Sequence, residues 1–156
     1  MTCPVCGYQD KGKGKPRSLD QHRRFYGLVQ KAFEQWPETF EDFQPESPEH
    51  LRKYLICAAG PQWRKVTEIP VPFAEDLPGL TRLAALMMQQ AAEAAGGYAF
   101  PRVDANGGRV ALYTAKSIKF SEMPHLEFCA LSQAVDEVIK AVIGVDPEQL
   151  LKERAA

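Results

Sequence analysis

Cys3 and Cys6 flank a Pro-Val pair and are followed by Gly7. Two thiolates at this spacing, on a turn tightened by Pro4 and Gly7, suit a single tetrahedral ion such as zinc. A structural zinc site takes four ligands, and no second knuckle follows in the chain. Zinc at Cys3 and Cys6 would therefore need His22 plus another group, or the same knuckle from a second chain. The other candidate ligands are Cys57, Cys129, His50 and His125; the two cysteines lie in apolar helical stretches, where small buried thiols are common. The alternatives are a segment with two free thiols, or a redox dithiol, which belongs beside a βαβ pattern that this sequence lacks.

A second group of residues suits phosphate. Lys11, Lys13 and Lys15 alternate with glycines, and Arg17, Gln21, Arg23 and Arg24 cluster at the start of a helical stretch. Guanidinium forks and a helix N-terminus both bind phosphate oxygens. Tyr8, Phe25 and Tyr26 are near enough in sequence for one ring to stack on a base. The plainer reading has Phe25 and Tyr26 facing the core and Asp20 pairing with Arg24 across one helical turn. The lysine run lacks the GxxxxGK[ST] pattern of a phosphate-binding loop. Catalytic motifs are absent: none of the three histidines lies in a nucleophile elbow or an HExxH pattern. Glu68, Glu75, Asp76 and Lys116 are the loose candidates for a metal-dependent nuclease centre, and their spacing fits no known pattern.

These residues must be positioned by mostly helical elements. A first helix is expected from the Ser18 cap, with Gln21 completing a capping box and Phe25, Leu28, Val29, Ala32, Phe33 and Trp36 at helical spacing, stopped by Pro37. An acidic loop follows, with Phe40 and Phe43 packing back. Ser47-Pro48-Glu49 opens a second helix that runs to a glycine cap at Gly60. Arg64 to Val71 reads as a strand, and Leu80 to Ala95 as a third helix. Tyr98–Val103 and Arg109–Tyr113 flank a strong hairpin turn. Lys116 to Phe120 alternates like a half-exposed strand end. A fourth helix runs from near Pro124 to Gly144, and Pro147-Glu148 opens a short fifth. The expected fold is α+β: four to five helices packed with a small antiparallel sheet or hairpin. An N-terminal arm, residues 1–16, carries the Cys knuckle and is expected to be mobile unless a ligand orders it. Residues 17–156 are expected to form one domain.

The chain has 156 residues, 45% hydrophobic and 25% charged, with a formal net charge of −1. At this length about two thirds of the unfolded surface can be buried without disulfides. Near-neutral charge excludes a global pull toward polyanions, but the charge is segregated. Residues 1–31 carry seven Lys and Arg against Asp10 and Asp20, whereas residues 32–50 carry six acids (Glu34, Glu38, Glu41, Asp42, Glu46 and Glu49) and no Lys or Arg. Polyanion contact must therefore be local. The start has no secretory pattern, and no apolar run approaches the roughly 20 residues that span a bilayer. A cytoplasmic protein with reduced thiols and no membrane contact is expected.

The block Arg17-Ser-Leu-Asp-Gln-His-Arg-Arg-Phe-Tyr-Gly-Leu-Val, ending in Ala32-Phe-Glu-Gln-Trp36, resembles the opening of a family of phage and prophage proteins. Ala115–Met123, Glu127-Phe128 and Val135–Ile139 resemble its C-terminal signature, and Glu49–Gly60 its middle helix. A more distant likeness runs to the lambdoid-phage recombination proteins of the NinB (Orf) type, which share the Arg-Ser-Leu-Asp-Gln start. That resemblance implies a homodimer that binds single-stranded DNA and assists recombination without catalysing it. It places DNA contacts at Arg17, Gln21, Arg23, Arg24 and Lys53. The CPxCG arm has no counterpart in either family, and residues 61–97 do not align. The leading expectation is thus a phage-derived, non-enzymatic accessory protein of recombination or replication that binds single-stranded DNA. The second is a module that docks on a host replication or recombination protein, using the acidic block; the third is a small nuclease.

Overall fold

The computed structural model describes residues 19–70, 79–94, 97–104, 109–119 and 122–153. The arm with Cys3, Cys6, Lys11, Lys13 and Lys15, and also Arg17 and the Ser18 cap, lies outside them. The fold is α+β, with five helices and one antiparallel sheet of three strands among the described residues. Contacts group these residues into two compact units, one from residues up to 60 and from 117 onward, the other from residues 61–116. No helix among the described residues is long and apolar enough to cross a membrane.

The first unit is helical: α1 (Leu19–Glu34), α2 (Pro48–Ala59), α4 (His125–Ile143) and α5 (Pro147–Lys152). The apolar stripe of α1 buries Phe25, Leu28, Val29 and Ala32. It faces Leu51, Leu55 and Ile56 of α2, Phe128, Leu131, Val135 and Ile139 of α4, and Leu150 of α5. Phe25 and Phe128 meet edge to face at 5.4 Å, a favoured aromatic geometry. The helix ends follow local chemistry. Ser47 Oγ accepts the backbone N–H of His50 at 3.1 Å, and Pro48 occupies the first turn of α2. Asp146 Oδ1 accepts the N–H of Glu148 to start α5. Gly144 ends α4 at φ 80°, a left-handed conformation that only glycine adopts at little cost. Gly60 also follows a helix, but its φ of 164° is extended.

The acidic loop between α1 and α2 is held by aromatic packing. Trp36 Nε1 donates to the Phe43 carbonyl at 3.0 Å, and Phe43 stacks on Tyr54 at 3.9 Å and 5°. Phe40 closes edge-on against Trp36 at 5.5 Å. Gln44 Nε2 reaches the Phe40 carbonyl at 2.7 Å. Glu38, Glu41, Asp42 and Glu46 all point to solvent.

The second unit holds a short 3-10 turn at Pro61–Trp63, β1 (Arg64–Pro70), α3 (Leu80–Ala94), β2 (Phe100–Asp104) and β3 (Arg109–Ala115). The strand order is β1-β3-β2, all antiparallel, with Val66 opposite Tyr113 and Phe100 opposite the same Tyr113 from the other side. Pro70 and Pro101 lie in the two outer strands, where a residue without an N–H is tolerated. The Arg64 guanidinium sits 4.3 Å from the centroid of the Tyr113 ring. The expected strand at 116–120 is not formed: residues 116–119 have no regular structure. They leave the sheet after Lys116 N–H donates to the Trp63 carbonyl at 2.9 Å, so the alternation of Lys and apolar residues there serves a connection and not a ladder.

Candidate nucleic-acid interface

A cavity of about 350 Å³ opens in the helical unit, lined by His22 and Tyr26 of α1, Arg52 and Lys53 of α2, and Ser117, Ile118 and Lys119 of the connection before α4. His22 and Tyr26 are four apart and share one face of α1, with ring centroids 4.6 Å apart. The Arg52 guanidinium lies 5.4 Å from the Tyr26 centroid and 3.4 Å from Glu49 Oε1. The Tyr26 ring is 40% exposed, so it does not belong to the core as the plainer sequence reading had it. Lys119 is exposed and Ile118 is buried beneath it.

Charge is concentrated here. Burial pushes the Lys53 ammonium below its ordinary pKa, and the neighbouring positive charges of Arg52 and Lys119 push the same way against Glu49. A half-buried ammonium with like charges beside it is relieved by an incoming anion. Three cations, one of them the Arg52 guanidinium, and an exposed ring together suit a phosphate joined to a flat aromatic group.

The residues expected to grip phosphate do not act together. Gln21 is buried, and its Nε2 donates to Cys129 Sγ at 3.6 Å, so it faces the core and not a ligand. Arg24 is two residues beyond His22, about 200° further round the helix, and is held in ion pairs. Its guanidinium reaches Asp136 Oδ2 at 3.2 Å and Glu148 Oε1 at 2.6 Å. Burial alone would lower its pKa, but hydrogen bonds to Glu148 and Asp136 outweigh that, and the net direction is upward. The expected Asp20–Arg24 pair is replaced by these longer-range contacts, which tie α1 to α4 and α5. Arg23 is exposed and lies about 100° from His22 around α1, at the flank of the cavity face. Lys53 is the expected contact that lines the cavity.

No known protein family, characterised protein or solved structure matches this chain. The phage-protein likeness therefore stands on the quoted sequence blocks alone.

The sequence reading missed Arg52, Lys119 and the pairing of His22 with Tyr26. The His22/Tyr26 spacing of four and the adjacent Arg52-Lys53 were visible signals. That α1, α2 and residues 117–119 converge was not. Of the loose nuclease set, Glu68 is 3.7 Å from Arg109 in an exposed ion pair, and Glu75 and Asp76 lie outside the described residues. His22, the expected third metal ligand, lines the cationic cavity, where neighbouring positive charge opposes a metal ion.

Proposed function

We propose that this protein is a non-enzymatic, single-stranded DNA-binding accessory factor of phage recombination or replication. The observation that carries the reading is the cavity in which Arg52, Lys53 and Lys119 surround an exposed Tyr26. The cations hold the backbone and the ring offers a stacking surface, so binding is tolerant of sequence. The likeness to the NinB-type proteins points the same way and adds a homodimer, to be checked by native mass measurement. Titration of a labelled oligonucleotide at low salt should give saturable binding. No binding there, or equal binding by a variant with Lys53 and Lys119 both changed to Gln, ends the proposal.

A second reading rests on the acidic loop, which aromatic contacts hold in place with Glu38, Glu41, Asp42 and Glu46 exposed. It is a docking surface for a host protein with a basic groove. Under this reading one stoichiometric partner is captured from host lysate and survives nuclease treatment. Under the leading reading capture is nuclease-sensitive.

A further inference from the structure

Strand contact alone leaves the form of the cationic cavity unexplained. An internal stretch of strand must enter a site and leave it again, which suits an open groove with its cations in file. Here three segments line one space of about 350 Å³: α1 with His22 and Tyr26, α2 with Arg52 and Lys53, and residues 117–119 before α4. That volume stands at the lower end of the range for small-ligand pockets, about 300–1,000 Å³. It is a space for one nucleotide and not for a run of them.

The charges converge in the same way. Arg52 and Lys119 both act on Lys53 and push its pKa down, as its burial does. None of the ion pairs among the described residues involves Lys53 or Lys119. The carboxylate that acts on Lys53 is Glu49, which is already paired with Arg52 at 3.4 Å and is 63% exposed. The Arg52 side chain is 12% exposed, with its guanidinium 5.4 Å from the Tyr26 centroid and this one long hydrogen bond to Glu49. Three cations against one carboxylate leave two positive charges over.

A phosphodiester inside a strand carries one negative charge. A phosphate monoester at a strand end carries about 1.5 to 2 at neutral pH and presents three acceptor oxygens. The monoester therefore matches the surplus charge of the cavity, and its three oxygens can each meet a different cation. Tyr26, 40% exposed beside Arg52, offers a stacking face to the base of the same nucleotide.

We infer, on the footing of the nucleic-acid reading above, that the cavity receives a nucleotide ending in a phosphate monoester, with the phosphate among Arg52, Lys53 and Lys119 and the base against Tyr26. The protein then holds a phosphorylated strand end in preference to an internal stretch. A free nucleoside monophosphate offers the same chemistry.

The test is calorimetric titration of the full chain, at low salt, with short single-stranded oligonucleotides of one sequence that carry a 5′-phosphate, a 3′-phosphate or hydroxyls at both ends. At least one of the phosphorylated strands should bind about tenfold or more tighter than the hydroxyl-ended strand, the worth of one hydrogen bond to a charged group. That advantage should vanish in the variant with Lys53 and Lys119 both changed to Gln. The comparison of ends on the unmutated protein needs no variant to fold. Equal binding of all three strands, with the double variant weakening each alike, overturns the end preference and leaves strand binding standing. Thymidine 5′-monophosphate and inorganic phosphate separate the sources. Binding of the mononucleotide without binding of any strand supports the monoester site and refutes the strand-binding function. Inorganic phosphate binding as tightly as the mononucleotide overturns the inference, because the ring then takes no part. No binding of any of these ligands ends both readings.

Discussion

Replacing Lys53 and Lys119 together by Gln removes two of the three cations lining the cavity and leaves Arg52. Each phosphate contact on a single strand contributes a slope of about −0.7 to log affinity against log salt. Three contacts give a slope of about −2.1, which over a fourfold rise from about 50 to 200 mM salt weakens binding about 18-fold. With one contact left the slope is about −0.7 and the same rise costs only about 2.6-fold. Fluorescence anisotropy of a labelled oligonucleotide across a salt series measures both slopes. Arg24→Ala in parallel is the internal control, because that guanidinium is bound to Asp136 and Glu148 on another side of α1. Equal slopes for the parent and the double variant, or a reduced slope in Arg24→Ala, would refute the assignment of the cavity as the phosphate contact.

Three further outcomes follow from the same geometry. Tyr26→Ala should weaken oligonucleotide binding by about 1–3 kcal/mol with the salt slope unchanged, and Tyr26→Phe should keep most of the affinity, since the stacking face is retained. Arg24→Ala should lower stability by about 1–2 kcal/mol, discounted for the exposure of Glu148, seen as a thermal midpoint about 3–6 °C lower; an unchanged midpoint would mean the ion pairs carry no weight. The Lys53 ammonium has its folded pKa below the ordinary 10.5. Folding therefore disfavours its charged form: the penalty is full below the folded pKa and fades as pH rises toward the unfolded value. Binding runs the opposite way. Affinity should fall as pH is raised and Lys53 loses its proton, and Lys53→Arg should flatten that profile.

Several helix ends and the three strands that form were legible because each is fixed by near neighbours, whereas the strand expected at 116–120 is not formed. Ser47 caps α2, Pro147 opens α5 and Gly144 closes α4 where local rules place them. The Phe40 and Phe43 contacts were foreseen in kind, since two rings in a polar loop have little else to bury. The central place of β3 in the sheet was not legible, because pairing with β1 joins strands far apart in sequence. The cavity failed for the same reason: it gathers positions 22, 26, 52, 53 and 117–119 from three segments. Arg24 shows the limit most plainly. Its neighbours in sequence suggest a phosphate ligand or an Asp20 partner, while its partners in space are more than a hundred residues away. Charge clustering along a helix reports composition, and the helix then distributes that charge around its full circumference.

The prolines in the outer strands bear on how this unit meets other molecules. Pro70 closes β1 and Pro101 stands second in β2, and neither ring has an amide hydrogen to offer an approaching extended peptide. Each outer strand thus lacks one main-chain donor, which weakens it as a template for an added strand at that position.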